Sequence, residues 1–175
     1  MKKSFLLILI SLACFTASAN YTDSIPANTK DVSSMDGIIA ALYDVISGDA
    51  GKVRNWDRFR TLFIPEAKLI ATGKRPDGTA SRRTMSVEDY ITTAGPTLEK
   101  NGFFEKEISR KTDQFGNVVQ LFSTYESRRK ADDAKPFVRG INSIQLWFDG
   151  NRWWIINILW QSETPEFPIP EKYLK

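Results

Sequence analysis

The chain has 175 residues, 42% of them hydrophobic and 26% charged, which is enough apolar material for one domain with a sizeable core and too much for a disordered chain. It contains no histidine, which excludes Ser-His-Asp and Cys-His triads, histidine general bases and nearly every zinc site. The formal net charge is only +3. The clusters Arg82-Arg83, Arg110-Lys111 and Arg128-Arg129-Lys130 are short and have acids nearby, so they read as solvated strand ends and no nucleic-acid partner is expected.

The first element is an address. Met1-Lys2-Lys3 is basic, the run from Phe5 to Phe15 is apolar but too short to span a bilayer, and Ala17-Ser18-Ala19 is a small-x-small cleavage signal. Residues 1–19 are therefore expected to be a signal peptide, cleaved before Asn20, with the product exported to the periplasm or medium and no membrane span. A lipoprotein with Cys14 as acceptor is the weaker alternative, because Ser11 stands where such signals usually carry a branched aliphatic residue. Cleavage removes two lysines and no acid, so the net charge falls from +3 to +1. It also removes the single cysteine, so no disulfide is expected and stability must come from packing.

Residues 20–30 are polar, carry Pro26 and form a leader. Asp31, Ser33 and Ser34 are candidate helix caps, and Ser33 with Asp36 approximates a capping box. Met35, Ile38, Ile39, Leu42, Val45 and Ile46 then repeat at three and four, which predicts a first helix ending near Ser47-Gly48. Trp56, Phe59, Leu62 and Phe63 predict a second helix that stops before Pro65. The period then changes. Lys68–Lys74 reads as a strand, Pro76-Asp77-Gly78 as a turn and Thr79–Met85 as a returning strand. Ser86 and Asp89 open a third helix, with Tyr90, Ile91 and Ala94 on one side, which Gly95-Pro96 breaks or kinks. Strands follow at Phe104–Thr112, Val118–Arg129, Phe137–Phe148 and Arg152–Gln161, the last two joined by a hairpin turn at Asp149-Gly150-Asn151. The tail, 164–175, is proline-containing and expected to lie extended on the surface. Helices gathered early and strands late predict an α+β fold, with a curved antiparallel sheet wrapped as a cone around the N-terminal helices.

Three passages carry a family resemblance: Trp56 to Ala67 leading into the first strand; Phe104-Glu105-Lys106-Glu107-Ile108 with Phe122-Ser123-Thr124-Tyr125-Glu126; and Gly140 to Leu146 with Gly150 to Ile155. Together they resemble the nuclear-transport-factor-2-like (NTF2-like) superfamily, in its bacterial SnoaL-like flavour, over 31–163. The resemblance implies a half-barrel whose open end is a pocket, and relatives that commonly dimerise through the outer face of the sheet. The family includes isomerases, dehydratases and cyclases as well as domains that only bind. Ketosteroid-isomerase-like members use an Asp base, a protonated Asp and a Tyr. Fitting that pattern here puts Ile70 or Ala71 at the base, Ile144 at the acid and Tyr43 near the tyrosine, so neither carboxyl is present. Dehydratase-like members need a histidine. Neither chemistry is supported, and no catalytic residue, cofactor or metal is assigned.

Polar residues embedded in apolar strands remain. Asn142 shares the parity of Ile144 and Leu146, Asn157 and Gln161 that of Trp153, Ile155 and Leu159, and Tyr125 that of Leu121. With Tyr43, and with Trp56 as an apolar wall, these six are the candidate pocket residues for a small, mainly apolar ligand. Each has a bland alternative, a hydrogen bond inside the core. If Asn142 serves only a ligand, leucine there leaves folding intact; if it is satisfied internally, leucine strands its partner. Glu126 and Arg139 read as an ion pair across neighbouring strands, with a ligand carboxylate as the alternative partner of Arg139. Glu105 and Glu107 share a face and read as solvated, a metal pair being the lesser reading for want of a third ligand. Trp147, Trp153 and Trp160 read as packing residues, with stacking on a flat ligand the alternative. The strand Trp153–Trp160 is apolar on both parities and needs cover on both faces, which predicts a homodimer through the sheet. An isomerase, dehydratase or hydrolase using Tyr43, Tyr125 or Asp57, and a protein-interaction module using the outer face, are the rivals to a binding pocket. A carboxylate in the pocket with a raised pKa would favour the enzyme.

Overall fold

The computed structural model describes residues 25–175. The expected signal peptide, its cleavage site and Cys14 lie outside them. No helix among the described residues is long and apolar enough to cross a membrane.

The helices are α1 (Thr29–Val32), α2 (Met35–Ile46), α3 (Trp56–Arg60) and α4 (Val87–Asn101). The strands are β1 (Phe63–Lys74), β2 (Ala80–Met85), β3 (Phe104–Phe115), β4 (Val118–Arg128), β5 (Val138–Phe148) and β6 (Trp153–Ser162). They form one curved, unclosed sheet in the order β2-β1-β6-β5-β4-β3, with the helices on its inner face. The fold is α+β, as the sequence predicts. Four of the five strand pairings are antiparallel, and β1 runs parallel to β6. That parallel contact closes the N-terminal half of the chain onto the C-terminal hairpin.

Local chemistry accounts for most boundaries. Asn28 caps the unpredicted one-turn α1, accepting from the Lys30 amide at 3.0 Å. Of the candidate caps it is Ser34 that caps α2, its Oγ accepting from the Gly37 amide at 2.9 Å, and the Ser33/Asp36 box does not form. Ser86 and Asp89 make the predicted capping box of α4. Pro96 does not end α4, which continues to Asn101. The second predicted helix is shorter than its apolar spacing implied. Phe63 leaves it to open β1, and Pro65 sits inside the strand where the β1–β6 pairing is interrupted between Phe63 and Lys68. A proline lacks the N–H for a ladder, so it sits where the ladder is broken.

Two bulges decide which side chains face inward. In β3 the register slips between Glu107 and Ser109, and in β6 Ile156 is the extra residue opposite Gln145 and Leu146. Each bulge switches the parity of everything beyond it. The core itself is continuous: Ile38, Leu62, Val119, Leu121, Ile144 and Ile155 have no exposed surface.

The tail folds back over the outer face. Tyr173, in a 3₁₀ turn (Glu171–Tyr173), stacks on Phe122 at 5.4 Å, and Thr124 Oγ1 donates to its carbonyl at 2.6 Å. Glu126 and Arg139 are register neighbours without pairing. Glu126 instead accepts from Arg128 (2.5 Å) and Lys106 (3.0 Å), and Arg139 binds Glu163, just before the tail (2.8 Å). The sequence could place the two backbones side by side but could not show that closer partners were on offer.

Candidate functional site

Between the helices and the inner face of the sheet lies a cavity of about 220 Å³. Its walls are largely apolar and aromatic, drawing on Leu42, Phe59, Tyr90, Phe103, Ile158 and Trp160. Among the described residues one carboxyl, that of Glu105, projects into it, and no Lys or Arg lines it.

The placement of Glu105 follows from neighbours on three elements. Ser47, the C-cap of α2, donates its hydroxyl proton to the Tyr43 carbonyl (2.7 Å) and accepts from the Glu105 amide (3.0 Å). This ties the start of β3 to the end of α2. Across the ladder Glu105 faces Ser127, whose Oγ donates to Glu105 Oε2 at 2.8 Å. From β5, Asn142 Nδ2 donates to Tyr43 Oη (3.0 Å) and reaches Glu105 Oε1 at 3.4 Å. Burial pushes the Glu105 carboxyl up to about 7, partly offset by the Ser127 and Asn142 bonds. Burial, with the nearby Glu105 charge, also raises the Tyr43 and Tyr90 phenols, and Tyr125 is lifted to about 12. All three phenols are neutral at ordinary pH.

The proton directions are fixed from outside. Arg110 grips Glu107 bidentately (2.8 and 2.6 Å), and Ser123 donates to Glu107 at 2.5 Å. Ser123 therefore accepts from Tyr43 (2.7 Å), and Tyr43 in turn accepts from Asn142. The β3 bulge makes this possible. Residues three apart on a regular strand point to opposite faces, but with Ile108 as the extra residue Glu107 and Arg110 both turn inward. Tyr43 thus has its proton committed to the protein. The Tyr90 hydroxyl has no hydrogen-bond partner among the described residues and lies at the cavity, its ring stacked on Phe59 (5.5 Å) and edge-on to Trp160 (6.4 Å).

Three of the six sequence-predicted site residues line the cavity: Tyr43, Tyr125 and Asn142. Tyr125 can lie across β5 because its register partner is Gly140, where a Cβ would sit 2.5 Å from the phenol oxygen. The other three are elsewhere. Asn157 and Gln161 follow the Ile156 bulge and point to the outer face. There Asn157 Nδ2 donates to Gln145 Oε1 (2.7 Å), and Gln161 Oε1 accepts from Thr72 (3.2 Å). The bulge instead sends Ile158, Trp160 and Ser162 to the cavity. Trp56 packs behind the wall, donating from Nε1 to Glu99 (2.9 Å) and edge-on to Phe59 (5.7 Å). Glu105 and Glu107, read as a solvated face, both turn inward, one into the cavity and the other onto Arg110. Their parity was legible; the side on which the core lay was not. Among the described residues no group of three His, Cys, Asp or Glu side chains is placed to hold a metal.

No protein-family model matches the chain, and no curated protein matches it in sequence. Among solved structures it is similar to an uncharacterised protein with a cystatin-like fold from Caulobacter vibrioides (TM-score 0.53, 10% identity, 77% of this chain and 90% of that one). It is also similar to an NTF2-like protein from Cytophaga hutchinsonii (TM-score 0.52, 10% identity, 74% and 99%). A third is a nuclear transport factor 2 (NTF2-like) superfamily protein from Salmonella enterica (TM-score 0.50, 16% identity, 72% and 86%). The fold is NTF2-like. At such identities the likeness concerns the backbone alone, so the function of this NTF2-like chain has to be argued from the residues in its own cone.

Proposed function

We propose that this NTF2-like chain binds a small, mainly apolar molecule in its cone, acts after export, and assembles as a homodimer through the outer face of the sheet. The observation that carries the binding reading is Glu105: one half-buried carboxyl, hydrogen-bonded by Ser127 and Asn142, in a cavity otherwise walled by apolar and aromatic groups. Such a composition, apolar walls with a few convergent polar groups, is that of small-molecule sites. The volume of about 220 Å³ lies below the roughly 300–1,000 Å³ of sites for drug-sized ligands, which favours a monocyclic guest. Thermal melts of the protein with a panel of monocyclic compounds test the reading. A shift of several degrees with at least one compound is expected, abolished by Ser127→Phe, which fills the cavity beside Glu105. A panel that moves nothing rejects it. The export claim rests on the first nineteen residues and is checked by intact mass: a secreted species beginning at Asn20 is expected, and one retaining Met1 or lipidated at Cys14 overturns it.

One observation favours a second reading, proton-transfer catalysis. A carboxyl near 7 is suited to take a proton at neutral pH, and the Tyr90 hydroxyl is free to donate to a developing oxyanion. Deuterium exchange into the α-carbons of a bound cyclic ketone, lost in Glu105→Gln, is the expected signature. A ketone that binds without exchanging rejects it.

A further inference from the structure

The charges and rings around Glu105 point to a ligand class. We propose that the guest is a small hydrophobic amine, held as its ammonium ion with Glu105 as the counter-charge and the surrounding aromatic rings as walls. This deepens the binding reading above and rests on it.

Three features converge. First, among the described residues the cavity contains one group able to carry charge at neutral pH and no cation to balance it. On the cavity side the groups facing Glu105 are neutral donors or phenols: Tyr43 from α2, Tyr90 from α4, Ser127 and Tyr125 from β4, Asn142 from β5. Glu105 also borders a second cleft with Asp44, Lys106, Arg128 and Asp133, where both cations are paired with Glu126. The nearest formal charge in the hydrogen-bond network, Glu107, is already matched by Arg110. Second, a carboxylate accepts about four hydrogen bonds, and the protein supplies one to each oxygen. Acceptor sites are left for an N–H donor arriving from the cavity. Third, Tyr90 and Trp160 present aromatic rings there, and ring faces attract a cation most strongly where water is excluded. An anionic guest would meet Glu105 with nothing to offset it. A neutral guest would gain from the walls but draw nothing from the carboxylate charge.

Binding an ammonium requires Glu105 ionised, so the guest must displace its proton wherever the empty site holds one. Benzylamine, benzyl alcohol and benzoate are matched probes of cation, neutral and anion. Calorimetric titration of the purified protein should show benzylamine affinity rising about tenfold per pH unit below pH 7, then levelling until the amine itself loses its proton. Benzyl alcohol should bind weakly and without a pH slope, and benzoate not at all above pH 7. At pH 6, titrations in two buffers of different ionisation heat should report close to one proton released per benzylamine bound. Glu105→Gln should abolish the slope and retain the alcohol. The proton count is made on the unmodified protein and does not depend on that variant folding. If benzyl alcohol or benzoate binds as tightly as the amine, or no proton is released, the amine assignment is overturned while the binding cone stands. If none of the three binds at millimolar concentration, both fall.

Discussion

Glu105 is the residue on which stability and function pull apart. Its ordinary carboxyl value of 4.5 is lifted to about 7 by burial, so the folded state holds its proton over a pH range in which the unfolded chain has lost it. In that window the unfolded state binds fewer protons, and stability therefore falls as pH rises. The contribution is fully present below about 4.5, is lost progressively up to about 7 and is absent above. A shift of that size corresponds to about 3 kcal/mol. Glu105→Gln keeps the shape without the charge. It should match the parent at pH 4 and exceed it by about 2–3 kcal/mol at pH 8, read from urea denaturation at the two pH values. Equal stability at pH 8 would show that the carboxylate is not desolvated. Asn142 behaves oppositely. Its amide bonds both Tyr43 and Glu105, so it belongs to the cavity and is also satisfied within the protein, the two readings the sequence set against each other. Asn142→Leu should cost about 1–3 kcal/mol by stranding the Tyr43 oxygen and one carboxyl oxygen. A variant as stable as the parent would reduce this network to bystanders.

Among the elements, the seam between α3 and α4 gives a further test. Gly95 lies inside α4, where alanine is intrinsically better by roughly 1 kcal/mol. A Cβ there would lie 2.9 Å from Cζ2 of the Trp56 ring, too close for a real contact. Gly95→Ala should therefore destabilise by about 1–2 kcal/mol despite the helix gain. Adding Trp56→Phe should recover part of the loss, and the double-mutant cycle should show clear coupling. Independent effects would mean that the ring simply swings aside. The same glycine shows how much the sequence could say. Gly95-Pro96 reads as a break, yet the glycine admits a tryptophan and the helix carries on past the proline. Helix faces and turns were legible because their signals are local: apolar spacing in α2, the capping box of α4, and the Asp149 side chain accepting from the Asn151 and Arg152 amides (2.7 and 2.8 Å) in the β5–β6 hairpin. The bulges were not, because one extra residue is visible only against the partner strand. Alternation along β6 holds from Trp153 to Ile155, then Ile156 inverts it. Unbroken alternation would put Asn157 and Gln161 in the cone and keep Trp160 out of it, and the bulge does the reverse.

At the scale of the whole molecule, the unresolved demand is the outer face of the sheet. The tail meets part of it by stacking Tyr173 on Phe122, and the Arg139–Glu163 pair holds its starting point. Val118, Trp147 and, in a groove beside the tail, Leu159 still remain 61%, 42% and 41% exposed, and Trp147 sits opposite Trp154 across the β5–β6 ladder. Large apolar side chains grouped on one open face are where association is to be expected. Trp147 lies at the hairpin end of β5, opposite Val118 and Trp154, and is the residue type that most often dominates an interface. It is also remote from the cavity, on the opposite face. The proposed homodimer therefore gives a separable outcome. Light scattering at micromolar concentration should report twice the chain mass for the parent protein. Trp147→Lys should report the monomer, with dissociation strengthened by at least about thirtyfold if the side chain contributes 2 kcal/mol or more. Its pH-dependent stability should be unchanged in form, because Glu105 and its partners are untouched. A parent protein that is monomeric at that concentration would reject the dimer. A Trp147→Lys variant that remains dimeric would move the interface off this face.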